Sequence, residues 1–222
     1  MKKTIRHPKT TIMKLKDLDL DKTYTYADYL RWTFEEAVEL IRGKVFKMSP
    51  APNTYHQDIS TKLLLKIGYY FGEKGCKVFH APFDVRLPLP PGQIKDNEIQ
   101  TVVQPDISVI CDRSKIDIRG CLGAPDWIIE IASPSTSKKD MKDKFEVYEF
   151  SGVKEYWIVF PQEQSVLVYT LNEKGKYIGL PPFVKEDKIS PVLFPNLEIN
   201  LSEIFPEMDL AEEPWDEHYV RM

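Results

Sequence analysis

The chain has 222 residues, 42% hydrophobic, 12% aromatic and 29% charged, which is ample for one sizeable core and too apolar for wholesale disorder. With 30 Lys and Arg against 34 Asp and Glu, the net charge of −4 argues against a protein that coats phosphates with a broad basic surface. It does not exclude a local site whose charge is corrected by a metal ion.

Three cysteines, Cys76, Cys111 and Cys121, with no CxxC pair, speak against a disulfide framework or structural zinc. They are read as small core or near-surface residues of a reduced compartment. No stretch approaches the ~20 apolar residues of a membrane span, and the basic start lacks the apolar segment of a signal peptide. The expectation is a soluble, cytoplasmic protein with no membrane partner.

In chain order, residues 1–24 predict a loose entry segment, 25–206 a single domain, and 207–222 a tail. The tail carries six acidic residues and one Arg, so the chain's net negative charge resides in it. Tyr26, Tyr29 and Leu30 predict a short helix. Residues 38–48 read as two strands around a tight Arg42-Gly43 turn, glycine supplying positive φ. A helix follows, with Ile59, Leu63, Ile67 and Tyr70 at spacings of 4, 4 and 3, and glycines at its end. His56 continues that stripe inward.

Residues 76–87 read as one strand with a bend or edge at Pro82, and 88–100 as a surface loop. Residues 102–111 and 127–132 are nearly continuous apolar runs, the pattern of central strands covered on both faces. The next helix opens at Ser133-Pro134-Ser135-Thr136, buries a stripe of Met141, Phe145 and Tyr148, and ends at Ser151-Gly152. Glu155–Phe160 is another buried strand, and Ser165–Leu171 turns around 172–175 toward a hairpin partner. Helices before and within a run of strands predict an α/β fold around a mixed sheet, with extra N- and C-terminal strands. The GxGxxG, GxxxxGK[ST] and GxSxG signatures do not occur.

The informative chemistry is two carboxylates inside the most apolar strands, Asp106 and Glu130. A carboxylate in a central strand is expensive unless hydrogen-bonded, protonated or bound to a cation. Two such acids in neighbouring strands can converge on a hard, oxygen-liking ion, Mg²⁺ or Mn²⁺. The bland alternative has Asp106 capping backbone after Pro105 and Glu130 paired with Arg or Lys.

These residues make the sequence recognisable. It resembles the PD-(D/E)XK nuclease superfamily, and more closely a bacterial branch of restriction-endonuclease-like proteins of unassigned substrate. The resemblance is carried by Met48-Ser49-Pro50 with His56, Gln104-Pro105-Asp106 on to Val109, the stretch from Gly123 through Glu130 to Thr136, Asp140, Lys144, Tyr148, and Gly152 to Val159. It spans nearly the whole chain.

The resemblance implies a restriction-endonuclease-like mixed sheet flanked by helices. Asp106 and Glu130 would bind Mg²⁺ or Mn²⁺ with the main-chain carbonyl of Ile131, for in-line attack of water on a phosphodiester of DNA. It also implies a homodimer, since cutting two strands generally uses two sites.

The sequence departs from the pattern at Ala132, where a Lys would share Glu130's face two residues on. The branch places its Lys on the following helix, and the match is Lys144. On a helical wheel it lies about 60° from Met141, flanking the predicted buried stripe. Its ordinary alternative is an i, i+4 pair with Asp140. Glu39 looks like the glutamate that superfamily members add to the metal site from an N-terminal element. His56 reads as a partner of the site, a contact of the scissile phosphate, or a satisfied core histidine.

Lys138, Lys139 and Lys142 read as a solvated face or at best phosphate contacts. Gln57, Ser133, Ser135 and Thr136 are candidates for substrate contacts, capping being the simpler role for the last three. Asp84 and Asp126 read as strand-edge and turn residues. The function that follows is a metal-dependent endonuclease acting on DNA. The alternative is a non-catalytic nucleic-acid-binding or assembly module on the same fold, favoured by the missing in-strand Lys.

Overall fold

The computed structural model describes residues 14–48, 53–72, 75–90, 92–133 and 139–207. After a 3-10 turn at Leu15–Asp17 comes α1 (Tyr26–Tyr29), where the Asp28 carboxylate accepts the Thr25 N–H at 3.0 Å. β1 (Val38–Ile41) and β2 (Lys44–Lys47) form the expected hairpin. Arg42 and Gly43 take φ of 51° and 76°, as a two-residue turn requires, and a Cβ on Gly43 would strike the Thr23 methyl.

α2 (Thr54–Phe71) starts at Asn53, whose side chain accepts the His56 N–H at 2.9 Å. It buries Ile59, Leu63, Ile67 and Phe71, every fourth residue. Tyr70, expected in that stripe, is 39% exposed instead, and Phe71 takes its place because its ring meets Phe194 edge-on at 4.8 Å.

Both long strands expected next are interrupted. Residues 76–87 divide into β3 (Lys77–His80) and β4 (Val85–Arg86), and residues 102–111 into β5 (Val102–Val103) and β6 (Ile107–Ile110). Each break holds a proline, Pro82 or Pro105, which has no N–H for the ladder. There the chain steps from one sheet to another.

β7 (Ile116–Asp117), β8 (Gly120–Leu122) and β9 (Trp127–Ile131) follow. A π-helical turn at Lys139–Lys144 runs into α3 (Phe145–Ser151), closed by Gly152 at φ 86°. Then come β10 (Glu155–Phe160), β11 (Ser165–Leu171), β12 (Tyr177–Gly179), β13 (Phe183–Val184), β14 (Lys188–Ile189), β15 (Ile199–Asn200) and α4 (Leu201–Ile204). Ser135, Thr136, Lys138, residues 1–13 and the tail beyond Glu207 lie outside the described residues.

The class is mixed α/β, as expected, but with two principal sheets among the described residues rather than one. The first runs β2-β1-β5-β4-β8-β7. The second runs β12-β11-β10-β9-β6-β3, with β13 beside β11. Parallel β9–β10 forms the centre of the second sheet. On one face, Trp127, Ile129, Ile131, Trp157 and Val159 pack with Ile59, Leu63 and Ile67 of α2. On the other, Ile128, Ala132, Tyr156 and Ile158 pack with Val147 and Tyr148 of α3 and with Val85 and Val103 of the first sheet. No helix among the described residues is long and apolar enough to cross a membrane.

The cysteine expectation is corrected. Cys76 and Cys111 lie one position beyond the Lys77↔Ile110 pair of β3–β6 and are joined as a disulfide. Their separation of 35 residues carried no sign of it, because strand register, not spacing, brings them together. Cys121 is the free, buried thiol, and burial pushes its pKa up to about 12.

Candidate active site

The antiparallel register of β6 and β9 pairs Ile107 with Ile129 and Ser108 with Ile128. Asp106 and Glu130 adjoin the last pair, Ile107 and Ile129, so the two acids lie at the same end of these strands, Glu130 toward α3. Asp106 Oδ2 accepts the Ile131 N–H at 2.7 Å and faces His56 Nε2 at 3.4 Å. The two acids singled out in sequence, the Ile131 main chain and His56 thus come together at one end of the sheet.

Glu130 Oε1 accepts from Lys144 Nζ at 2.8 Å and from the Tyr148 hydroxyl at 2.6 Å. Lys144 Nζ also lies 2.9 Å from Glu39 Oε1 and 3.8 Å from Asp140 Oδ1. Glu39 Oε1 accepts the Gln104 N–H at 3.0 Å, and Oε2 accepts from Lys139 Nζ at 2.7 Å. The five candidate side chains thus form two adjoining groups: Lys144 of the π turn with Glu39 of the first sheet and Glu130 of the second, and Asp106 with His56 of α2, the two meeting at the main chain of Ile131.

The helix presents a different face from the one expected. Asp140, Lys144, Val147 and Tyr148 are buried, whereas Met141 is 50% exposed. Phe145 is only partly buried, against Tyr169 and Tyr177. Lys144 lies at the centre of the inward face, not on its flank. Three carboxylates face this ammonium, and leaving them unpaired would cost more than exposing one Met. The Tyr156 hydroxyl donates to the Asp140 carbonyl at 3.1 Å and pins the turn. Periodicity could not show this, because it follows apolar residues and the face is set by charge.

Burial pushes Glu130 up to about 8; Lys144 opposes the rise, while Asp140, Asp106 and Glu39 reinforce it. Burial pushes the other way on Lys144, but Glu130, Glu39 and Asp140 raise it well above its ordinary range. Burial would also raise Glu39, yet Lys144 and Lys139 hold it down to about 2. Burial disfavours protonated His56, and Asp106, the Ile131 carbonyl and Asp140 outweigh that and raise its pKa. Glu130 therefore keeps its proton near neutral pH, and a cation bound beside it would favour its release.

The oxygen donors suit Mg²⁺ or Mn²⁺. Among the described residues no three His, Cys, Asp or Glu side chains group to enclose a metal. Such an ion would rest on Asp106, Glu130 and the Ile131 carbonyl, completing its shell with water and phosphate, as Mg²⁺ commonly does.

Residues 26–202 match the sequence profile of the Uma2 family, described as "Putative restriction endonuclease". The chain belongs to the Uma2 family. A crystal structure described as "a putative nuclease belonging to DUF820", from Anabaena variabilis, superposes with a TM-score of 0.63 at 24% identity, covering 82% of this chain and 97% of that one. At that identity the likeness shows the fold alone. A protein of Synechocystis sp. described as uncharacterized is 22% identical over 156 residues, 69% of this chain and 77% of that one. The restriction-endonuclease-like resemblance is borne out for family and fold.

Other candidates of this Uma2 chain sort differently. Lys139, expected on a solvated face, is ion-paired inside the site, while Lys142 and Gln57 face solvent. Asp126 is buried and holds the Cys111 N–H at 2.7 Å and Lys154 at 2.6 Å, a structural role. Asp84 accepts from the Gln104 side-chain amide at 2.8 Å. The sequence offered Lys139 at best a phosphate contact and Asp140 only a pair with Lys144, and it gave Tyr148 no role at the site. Tyr148 and Asp140 stood among the residues carrying the resemblance, which was the available signal.

Proposed function

We propose that this Uma2 protein is a metal-dependent endonuclease that hydrolyses phosphodiester bonds of DNA, using Mg²⁺ or Mn²⁺. The observation that carries this reading is Lys144. Its ammonium reaches Glu130 from the helix, supplying to that face what Ala132 cannot, while Asp106 lies at the same end of the neighbouring strand. Asp106, Glu130 and the Ile131 carbonyl would hold the ion, which would supply charge neutralisation at the phosphate and a more acidic water.

Lys144 donates toward the attacking water and balances the negative charge that grows on the phosphate oxygens. Glu39 holds Lys144, and His56 holds Asp106. A pure scaffold would gain little from so many buried charges, so the catalytic reading is preferred to a binding or assembly module. The reading includes a cytoplasmic protein working as a homodimer on double-stranded DNA. The Cys76–Cys111 link lies at the opposite end of β3–β6 from Asp106, so the reading does not depend on whether it is closed.

The test is cleavage of supercoiled plasmid and single-stranded DNA with Mg²⁺ or Mn²⁺. Wild type nicks or linearises the plasmid; Glu130→Gln and Lys144→Ala do not. Activity surviving Glu130→Gln would place the chemistry elsewhere. Calorimetric titration with Mn²⁺ should show a site in wild type that Asp106→Asn removes.

A further inference from the structure

Glu39 is the one carboxylate of the network contributed by the first sheet, and its side chain is wholly buried. Oε1 accepts from the Gln104 N–H at 3.0 Å and stands 2.9 Å from Lys144 Nζ, while Oε2 accepts from Lys139 Nζ at 2.7 Å. Both oxygens are thus engaged by groups of this chain, one of them a main-chain N–H. We propose that Glu39 is the counter-ion that positions Lys144, with Lys139 as its second cation, and is not a ligand of the metal. The proposal rests on the nuclease reading above and assigns two residues of the same site.

The π turn explains how two lysines reach one carboxylate. Residues five apart on an α-helix point about 140° apart. A turn closed by i→i+5 hydrogen bonds brings them closer to one side of the helix. Lys139 and Lys144 are five apart, at the two ends of the π-helical turn Lys139–Lys144, and both meet Glu39. The Gln104 N–H held by Glu39 lies two residues before Asp106. Glu39 therefore ties the segment carrying Asp106 to the helix carrying Lys144, and sets the ammonium against the acids.

The charges agree with the geometry: Lys144 and Lys139 hold Glu39 as an anion against its burial. A ligand from Glu39 would require two ammonium ions to leave a dry carboxylate, each then needing a new partner.

The experiment uses the full chain with Glu39→Gln, Lys139→Gln and the charge-balanced double variant. In EDTA, Glu39→Gln should lower the thermal unfolding midpoint, because two ammonium groups lose their anion, and adding Lys139→Gln should recover most of the loss. With Mn²⁺ in calorimetry, the double variant should bind as wild type does, while Asp106→Asn does not. Its plasmid cleavage should fall about 10–100-fold through kcat with KM retained, since the clamp on Lys144 is weakened.

A double variant whose Mn²⁺ affinity drops to that of Asp106→Asn overturns the proposal, and so does a Lys139→Gln that restores no stability. If wild type itself neither binds Mn²⁺ nor cleaves, the nuclease reading fails instead. The chelator measurements then still decide whether Glu39 is the counter-ion of the two lysines.

Discussion

The two faces of the sheet centred on β9 and β10 come from the same strands and both bury apolar side chains, but only one of them also buries charge. Toward α2, Trp127, Ile129, Ile131, Trp157 and Val159 bury apolar surface, with Trp127 and Trp157 edge to face at 4.8 Å. Such packing is non-directional and tolerant of small shifts. Toward α3, Ile128, Ala132, Tyr156 and Ile158 pack too, but Glu130 is buried among them and must find its partners, Lys144 and Tyr148, at hydrogen-bond distance. The apolar face provides stability that offsets the cost of the charged one. The candidate chemistry lies on the face that is expensive to bury.

Removing one charge should give the largest effect. Lys144→Met leaves Glu39 and Glu130 buried without their shared ammonium, and unfolding in urea should show a loss of about 3–5 kcal/mol. Trp157→Ala on the apolar face should cost about as much, ~3–5 kcal/mol. The two differ in function: the folded Trp157→Ala protein keeps its Mn²⁺ site and cleavage, whereas Lys144→Met loses cleavage. If both variants kept activity, the division between the faces would collapse.

The next contrast is pH. Glu39 sits at about 2 in the folded chain against an ordinary 4.5. Its contribution is therefore complete above pH 4.5 and lost as pH falls from there through 2. The amount is about 3 kcal/mol, and Glu39→Gln should flatten that limb of the stability–pH curve. Apolar-face variants should shift the curve without changing its slope.

Smaller effects sharpen the comparison. Tyr148→Phe removes the hydroxyl that donates to Glu130 Oε1, for a loss of about 1.5–3 kcal/mol by chemical denaturation. Ser108 Oγ is buried with no hydrogen-bond partner among the described residues, so Ser108→Ala should raise stability by up to ~1 kcal/mol. A drop in stability instead would mean that the hydroxyl is satisfied in solution.

Much of the apolar architecture was readable along the chain. Ile59, Leu63 and Ile67 mark one helix face, Arg42-Gly43 one hairpin, and residues 127–131 a strand covered on both sides. Asp106 and Glu130 stood out because acids rarely occur in such runs. The stripe of Met141, Phe145 and Tyr148 misled, since it assumes a regular α-helix whose apolar residues choose the buried face. The breaks at Pro82 and Pro105 were visible as residues, but not as crossings between two sheets.

By itself, the amino-acid sequence determined the mixed α/β class, the core of the α2 face and the presence of two costly acids, because hydrophobic periodicity and turn chemistry act over a few residues. Only the tertiary structure decided which cation meets which acid. Lys139 and Glu39 are 100 residues apart and come from different layers, and Cys76 meets Cys111 only through the β3–β6 register. Charge pairing is short-ranged in space and indifferent to distance along the chain, so it becomes visible only after the sheets and the π turn have set the positions of the side chains.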